Sequence, residues 1–386
     1  MLPIGNSRAI LKPFDDMSQA TFSFPTTVLY GGGTVSRLPD ELHCRQMRAP
    51  LIVTDRGLLS TEVIKRVQKL VPDAEIYSDV DPNPTEPNVL DGVAFYKSHG
   101  CDSLVVVGGG SAIDAAKAIR LKITHPLDLA EYDDNIGGSA KITANLPPFI
   151  AIPTTAGTGS EVGRSTVITI EKTNRKTVIF SPRLIPDLAI ADPELTASMP
   201  PAITAGTGMD AFTHNVEAFL ANGFQPICDA IALGGAKLAY QHLPRVMENP
   251  NDVESRGEMM VAAMMGAIAF QKGLGAVHSL AHPLSTEFGM HHGTSNAVLL
   301  PVVLEFNRSA VPGRFSELAH QLGKDVAACT RELNEICRIA PRLRDYGIPE
   351  EALSGLAQKA IQDGCHLSNP RPCTVDTLLS LYRQAW

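Results

Sequence analysis

The 386-residue sequence predicts an α/β domain over residues 1–195, with a parallel sheet flanked by helices, followed by an all-helical domain over residues 196–386. Two observations predict this division. Short β-rich runs alternate with helical patterns in the first part of the chain. After residue 195 only apolar residues at helical spacing follow, with Pro or Gly at the breaks. At roughly 150 residues per domain, the length also favours two hydrophobic cores.

The first domain contains four predicted strands, which cover residues 51–55, 74–77, 103–107 and 149–152. Three predicted helices lie between them, over residues 60–71, 88–99 and 111–121. Because strands that alternate with helices are buried on both faces and joined by right-handed crossovers, we expect a doubly wound parallel sheet. The sequence also predicts a hairpin where residues 27–30 run into three glycines at 31–33, and a β-rich stretch over residues 165–180.

The composition excludes several classes of function. The chain has 33 Lys and Arg residues against 41 Asp and Glu residues, so at a net charge of −8 we expect a small-molecule ligand and no nucleic acid or membrane partner. The longest apolar run, residues 259–270, is shorter than the roughly 20 residues of a membrane span and predicts a buried helix. Seven scattered cysteines without a Cys-x-x-Cys pair, and the lack of a signal-like apolar stretch at residues 1–8, predict a cytoplasmic protein.

The strongest cofactor signal is the turn that follows the third predicted strand. Here residues 103–107 pass through Gly108, Gly109 and Gly110 directly into a helix at Ser111. Glycines allow a ligand to approach the backbone closely, and the free N–H groups and dipole at a helix N-terminus attract phosphate. The turn therefore predicts a phosphate cradle. It is not a Gly-x-Gly-x-x-Gly fingerprint, and the alternative is an ordinary tight turn.

A second turn, residues 153–161, follows the fourth predicted strand and is rich in Thr, Ser and Gly. Its hydroxyls suit contacts to ribose, pyrophosphate or a nicotinamide amide, and the alternative is a hydroxyl-capped loop. Asp55 ends the first predicted strand, where its carboxylate can accept hydrogen bonds from an adenosine ribose and repel a 2′-phosphate. This position favours NAD over NADP, and the alternative is a plain loop residue.

Four of the 11 histidines, His278, His282, His291 and His292, fall within 15 residues. His278 and His282 are four residues apart and therefore share one face of a helix. Asp210 and His214 have the same spacing on an otherwise apolar predicted helix. A buried carboxylate such as Asp210 is costly unless a cation or a hydrogen-bond donor satisfies it.

A divalent metal ion would satisfy that carboxylate. Three neutral imidazoles and one carboxylate suit Fe²⁺, Zn²⁺, Mn²⁺ or Co²⁺ and leave room for a substrate oxygen, and the ligands alone do not choose among these metals. The alternative is that Asp210 caps or pairs locally and that the histidines are satisfied core groups. The whole constellation favours the metal site.

In order along nearly the whole chain, these motifs resemble the iron-dependent (group III) alcohol dehydrogenase family. The matching motifs are residues 108–111, 153–161, 208–214 and the histidine segment. The resemblance implies a dehydroquinate synthase-like fold with an N-terminal dinucleotide-binding domain and a C-terminal metal-binding domain. It implies a metal site with Fe²⁺ as the expected ion and Zn²⁺ as the alternative. The implied metal ligands are Asp210, His214, His278 and His292.

The resemblance also assigns the other site residues. His282 matches an active-site histidine that does not bind the metal, whereas His291 is an extra histidine without an implied role. The implied NAD-binding residues are Asp55, Asn83, Gly109, Gly110, Ser111, Asp114, Thr154, Thr155, Thr158, Val167 and Lys176. Three fragments are most similar to the 4-hydroxybutyrate dehydrogenase branch: Arg164 with its neighbours, residues 269–275 and residues 291–297.

The function implied is transfer of a hydride between a primary alcohol and NAD, with metal polarisation of the alcohol oxygen and His282 as a proton relay. We further expect Lys272 to bind the carboxylate of a short ω-hydroxy acid such as 4-hydroxybutyrate, and the alternative is a solvated helix-end lysine. Simple alcohols, diols and lactaldehyde-type substrates stay open. The family resemblance leads us to expect a homodimer or larger homo-oligomer.

Three other functions compete with this one. A dehydroquinate synthase-like lyase or a glycerol-dehydrogenase-like enzyme would use the same cleft, but a lyase with a polyanionic substrate should carry several basic residues, and the apolar residues 259–270 disfavour that. A catalytically silent NAD-binding scaffold would leave the four metal-type residues unexplained.

Overall fold

The computed structural model describes residues 24–173 and 175–386. Residues 1–8, whose sequence predicts that no export signal is present there, lie outside this range. Eight strands lie among the described residues: β1 (Thr27–Tyr30), β2 (Pro50–Val53), β3 (Glu75–Tyr77), β4 (Ser103–Gly108), β5 (Phe149–Pro153), β6 (Ser165–Ile170), β7 (Arg175–Phe180) and β8 (Leu188–Ala191). Six of them form one sheet in the order β1-β8-β5-β4-β2-β3, and every neighbouring pair in it is parallel. Strands β6 and β7 form a separate antiparallel pair.

In the part of the chain that the structure describes, five helices accompany the strands: α1 (Leu38–Cys44), α2 (Arg56–Leu59), α3 (Glu62–Leu70), α4 (Glu86–Ser98) and α5 (Gly110–Thr124). Nine more follow: α6 (Pro201–Leu220), α7 (Pro226–Glu248), α8 (Val253–Ala269), α9 (Ala276–Phe288), α10 (His292–Asn307), α11 (Pro312–Leu322), α12 (Val326–Ile336), α13 (Leu353–Ala360) and α14 (Val375–Ala385). Within the described range, no strand follows Ala191. The α/β part followed by a helical part confirms the predicted fold class, whereas the division into two domains near residue 195 stays a prediction.

The four strands and three helices predicted in the first part are all present, with ends displaced by at most three residues. Strands β2, β4 and β5 are buried along their whole length, which explains why their sequences are nearly all apolar. Strand β8 was not predicted, because its four residues run straight into Asp192 and Pro193 and give little periodic signal.

The predicted hairpin at residues 27–33 is wrong. Strand β1 pairs in parallel with β8, so that Thr27 lies opposite Leu188. The glycine turn leads instead into a 3-10 helix and α1, because Asp192 anchors it: its carboxylate accepts hydrogen bonds from the N–H groups of Gly33 and Val35, each at 3.1 Å. Positive φ angles at Gly31 and Gly33 permit the bend.

Two hydrophobic clusters lie on opposite faces of the parallel sheet, and a third fills the helical part. Among the described residues no single helix is long and apolar enough to cross a membrane, while one pair bent by 111°, Val253–Lys272 with Ala276–Phe288, meets the length and composition test when taken together. The predicted buried helix over residues 259–270 is confirmed as most of α8, with Phe270 starting a 3-10 turn.

The loop after β5 packs against the helical part of the chain. A Cβ atom on Gly157 would lie 2.7 Å from Cβ of Thr207 in α6, and one on Gly159 would lie 2.5 Å from the carbonyl oxygen of Ala263 in α8. Gly159 also has a positive φ of 60°. The loop at the carboxyl edge of the sheet is therefore packed closely against α8 and against α6, the helix that carries Asp210 and His214.

Candidate active site

The four predicted metal ligands lie together, on three helices. Helix α6 carries Asp210 and His214 one turn apart, α9 carries His278, and α10 begins at His292. The Nε2 atoms of His292, His214 and His278 lie 3.5, 3.7 and 3.9 Å from Oδ1 of Asp210. Potential ligand atoms of Asp210, His214 and His278 all lie within 4.8 Å of one another. We call these four residues the Asp–His cluster.

Asn296 belongs to the same site and was missed by the sequence analysis. Its Nδ2 atom donates a hydrogen bond to Oδ1 of Asp210 at 2.8 Å and lies 3.2 and 3.4 Å from Nε2 of His292 and His278. Asn296 is one helical turn after His292 on α10, which is the only sequence signal that points to it.

Burial keeps two of the imidazoles uncharged. It lowers the pKa of His214 to about 4, and together with the neighbouring imidazoles it lowers the pKa of His292 well below its ordinary value. The third imidazole is oriented by a carboxylate that the sequence analysis missed. Nδ1–H of His278 donates to Oε2 of Glu217 at 2.6 Å, and Glu217 also accepts the N–H of Val277 at 2.8 Å. Nε2 of His278 is thereby turned toward Asp210.

His282 lies beside the cluster and has a carboxylate partner of its own. Its Nδ1–H donates to Oδ2 of Asp363 at 2.7 Å, and its ring stacks on that of His292 with centroids 5.3 Å apart. Asp363 also accepts hydrogen bonds from Oγ of Ser279 at 2.7 Å and from the N–H of Cys365 at 2.9 Å. Burial alone would raise the pKa of Asp363, but the charge and hydrogen bond of His282 hold it well below its usual range. No motif marks Asp363, which lies 81 residues after its partner.

The two predicted cofactor turns lie against each other. Gly109 immediately precedes α5, whose 15 residues begin at Gly110. A Cβ atom on Gly109 would lie 3.0 Å from Cγ2 of Thr155, and one on Gly110 would lie 2.5 Å from Cγ2 of Thr158. The two turns therefore pack closely against each other, and Gly109, Gly110 and Ser111 at the start of α5 are half-buried, which leaves part of this helix N-terminus accessible to a ligand's phosphate.

Asp55 and Thr154 lie at the same edge of the sheet. The N–H of Thr154 donates to the carbonyl oxygen of Gly108 at 3.0 Å, which joins the two turns. Oδ1 of Asp55 caps α2 by accepting the N–H of Leu58 at 3.0 Å. Oδ2 of Asp55 lies 3.8 Å from the position of a Cβ on Gly108, so the carboxylate both caps a helix and faces the glycine turn.

A further set of predicted cofactor residues closes around the same turn. The hydroxyl of Ser111 donates to the carbonyl oxygen of Pro82, and Nζ of Lys176 donates to Oδ1 of Asn83 at 2.8 Å. Burial lowers the pKa of Lys176 to about 8. The loop that carries Asn83 is thus tied both to the glycine turn and to strand β7.

Asp114 makes its contacts within the protein. Its two oxygens accept hydrogen bonds from Oγ of Ser160 at 2.8 Å and from the N–H of Val167 at 3.0 Å. Nearby, the buried Lys117 donates to the carbonyl oxygens of Ser160, Gly163 and Ser165 at 2.7–2.9 Å, and burial lowers its pKa to about 8. Lys117 was missed, although a lysine within an apolar helix is a visible signal. Asp114 and Lys117 both position the loop after β5.

The expected role of Lys272 does not fit its contacts. Its side chain is fully buried, and Nζ contacts Oδ1 of Asp229 and the carbonyl oxygen of Phe219, the latter at 2.9 Å. Arg314 also donates to Asp229, at 3.0 Å. Lys272 therefore already has a carboxylate partner, Asp229 on α7. The position of Lys272 in the sequence gives no sign of this partner. We do not retain Lys272 as a substrate-binding residue.

Two other residues noted in the sequence, His291 and Arg164, lie outside the Asp–His cluster. His291 packs against α6, because a Cβ atom on Gly206 would lie 2.5 Å from Cε1 of His291. The guanidinium of Arg164 lies over the ring of Phe180, 5.1 Å from its centroid.

Comparison with known proteins gives one consistent result. Residues 25–193 match the family described as iron-containing alcohol dehydrogenase, and residues 204–386 match its C-terminal part, described as Fe-containing alcohol dehydrogenase family, C-terminal. The chain is 41% identical to a 4-hydroxybutyrate dehydrogenase of Cupriavidus necator over 88% of its own length and 92% of that protein.

Two solved structures extend the comparison. A 1,3-propanediol oxidoreductase is 34% identical with a TM-score of 0.91, over 95% of this chain and 100% of that one. A sulfoacetaldehyde reductase of Bifidobacterium kashiwanohense, solved in complex with NAD⁺, is 31% identical with a TM-score of 0.87, over 95% of this chain and 98% of that one.

Proposed function

The chain belongs to the iron-containing alcohol dehydrogenase family, and we propose that it transfers a hydride between a primary alcohol and NAD at the Asp–His cluster. The observation that carries this proposal is the approach of three imidazole Nε2 atoms to one carboxylate oxygen, at 3.5–3.9 Å. Among the described residues, no Lys or Arg pairs with that carboxylate, so its charge suits a cation.

The donor set fits a divalent metal, for which we propose Fe²⁺, with Zn²⁺ as the alternative. Asp210, His214, His278 and His292 would hold the ion. Neutral imidazoles are required for this, and burial supplies them at His214 and His292. When bound, the metal polarises the substrate oxygen and NAD exchanges the hydride. Glu217 fixes the orientation of His278, since Nδ1–H is held at 2.6 Å and only Nε2 can face the ion.

We propose that the glycine turn and its surroundings bind NAD. Gly109, Gly110 and Ser111 lie at the start of α5, whose free N–H groups suit the pyrophosphate, and the two glycines let this turn pack against Thr155 and Thr158. Asp55, whose Oδ2 faces this turn, would bind the adenosine ribose. The further residues proposed to line the cofactor are Asn83, Thr154, Val167 and Lys176.

His282 is the proposed proton relay. Its Nδ1–H is engaged by Asp363 at 2.7 Å, so Nε2 is the nitrogen that can exchange a proton with the substrate. The acidic Asp363 stays ionised and stabilises the imidazolium that forms when His282 accepts the alcohol proton.

For the substrate we propose a short ω-hydroxy acid such as 4-hydroxybutyrate, on the basis of the similarity to 4-hydroxybutyrate dehydrogenase. An uncharged diol is the second candidate. It is favoured by the ion pair between Lys272 and Asp229, which removes the cation expected for a substrate carboxylate, and by the similarity to a 1,3-propanediol oxidoreductase.

The proposal is tested by purifying the protein without oxygen, measuring bound metals by elemental analysis, and following NADH absorbance with 4-hydroxybutyrate, 1,3-propanediol and 1-butanol. We expect about one metal ion per chain and NAD⁺ reduction with at least one of these alcohols. A lyase would give no net change in NADH, and a scaffold would bind no metal and turn over nothing. Light scattering of the same sample tests the expected homo-oligomer.

A further inference from the structure

A small cavity lies beside helix α6, between it and helices α7 and α8. Its walls come from α6, α7, α8 and the loop after β5, and they include Thr204, Leu243, Val246, Arg256 and Met259. The space open to the centre of a water-sized sphere is about 10 Å³, so the cavity is small.

Arg256 brings an unpaired positive charge to this cavity. The residue is 2% exposed, and its Nε donates to the carbonyl oxygen of Pro250. Neither Nη1 nor Nη2 has a hydrogen-bond partner among the residues that the structure describes. Burial lowers the pKa of Arg256, but a guanidinium keeps its proton at any physiological pH. An isolated buried charge of this kind is strongly destabilising unless something neutralises it.

The neighbouring carboxylate does not neutralise it. Asp252, four residues earlier, accepts hydrogen bonds from the N–H of Ser255 at 3.0 Å and from its hydroxyl at 2.8 Å, and it pairs with the exposed Arg245 at 3.9 Å. Within the described range, no ion pair involves Arg256. The hydroxyl of Thr204 is a second buried polar group in the cavity wall that lacks a partner.

We propose that this cavity binds a halide ion, chloride under ordinary conditions, between the guanidinium of Arg256 and the hydroxyl of Thr204. The guanidinium can only donate hydrogen bonds, and the hydroxyl can donate as well, so both suit an anion that accepts. The apolar side chains of Leu243, Val246 and Met259 complete the wall and offer nothing to the hydrogens of a water molecule. A monatomic halide is smaller than phosphate, sulfate or a carboxylate and therefore suits this small space better.

The position of the cavity gives the anion a structural role. Thr204 lies on the helix that carries Asp210 and His214, and Ala156, in the loop after β5, also lines the cavity. A bound halide would therefore link α6, through Thr204, to α8, through Arg256. The inference concerns stability and does not rest on the proposed function.

Thermal unfolding of the metal-loaded protein tests the site. We expect the Tm in sodium chloride to exceed that in sodium gluconate of equal ionic strength by about 2 °C, with a saturating dependence on chloride. Arg256→Met should abolish the difference. Arg245→Gln is the matched control, since Arg245 is 60% exposed on its side chain, and it should keep the difference in full.

Crystals grown in sodium bromide give the direct test, because an anomalous peak should lie between Arg256 and Thr204. Should Arg256→Met fail to fold, Thr204→Val provides the second variant, for which we expect at least a threefold weaker halide dependence of Tm. Equal Tm values in chloride and gluconate, a shift that survives Arg256→Met, or a cavity without a bromide peak would each overturn the proposal.

Discussion

The two parts of the candidate site are built by different means. The cofactor turns are shaped by backbone and by missing side chains: added Cβ atoms on Gly109 and Gly110 would come within 3.0 and 2.5 Å of neighbouring threonines. The Asp–His cluster is shaped instead by side chains whose partners lie far along the chain, such as Glu217 and Asp363, which are 61 and 81 residues from the histidines they orient. The first part should therefore be sensitive to added volume, and the second to lost charge and orientation.

The largest effect is expected from Asp210→Ala, which removes the carboxylate shared by all three imidazoles. We expect loss of bound metal and a fall in turnover of about 1,000-fold or more. Elemental analysis and the NADH assay measure the two quantities. Asp91→Ala, an exposed change in α4, is the control and should retain both. Full metal content in Asp210→Ala would show that the cluster is not the metal site.

Removing the proposed relay should separate chemistry from metal binding. His282→Ala is expected to lower turnover by about 100-fold while metal content stays unchanged, because general acid–base catalysis contributes on that scale. Asp363→Asn should act in the same direction and shift the pH dependence of kcat, since it removes the charge that supports the imidazolium. Loss of metal from the His282→Ala variant would instead show that His282 is a metal ligand.

Added volume is the matching test of the cofactor turn. In Gly110→Ala the new Cβ would lie 2.5 Å from Cγ2 of Thr158, so we expect the KM for NAD to rise about 100-fold with metal content unchanged. Thr158→Ala in the same chain should restore part of the affinity by removing that methyl group. Gly313→Ala, where a Cβ meets nothing within 4 Å, is the control. An unaltered KM in Gly110→Ala would mean that NAD does not approach this turn.

The substitution Glu217→Gln tests a residue that orients the proposed ligand His278 without binding the metal itself. We expect a 10- to 100-fold weaker metal affinity, because the amide holds Nδ1–H of His278 less firmly than the carboxylate does. Metal titration of the stripped protein measures it, and Glu287→Gln on the same helix as His278 serves as a comparison. Equal metal affinities in the wild type and in Glu217→Gln would show that Glu217 does not contribute to metal binding.

The smallest effect concerns Lys117, whose pKa burial lowers to about 8 from an unfolded value near 10.5. Between these two pH values the unfolded chain holds a proton that the folded chain has released, so the free energy of unfolding rises with pH, by at most about 1.4 kcal/mol per pH unit. Denaturant unfolding of the wild type and of Lys117→Met should therefore diverge across this range. A constant difference would show that Lys117 does not titrate between pH 8 and 10.5.

The sequence made the α/β plan predictable because buried parallel strands are continuous apolar runs, as in Ser103–Gly108 and Phe149–Pro153. It also suggested the proximity of Asp210 and His214, since helical spacing places them on one face. Asn296, Glu217 and Asp363 were not found, because each acts across helices whose packing no local spacing encodes. Lys272 was misjudged for the same reason: its partner Asp229 lies on α7, and no local spacing places the two residues together.

One consequence follows from the pairing of β1 with β8. These strands lie 161 residues apart, and Thr27 is opposite Leu188. A growing polypeptide cannot finish its sheet until about 190 residues have left the ribosome, and closing so long a loop is slow compared with local pairing. Until β8 has been synthesised, one edge of β5 lacks its strand partner and its backbone amides there are unpaired. The residues of the helical half follow β8 in the chain.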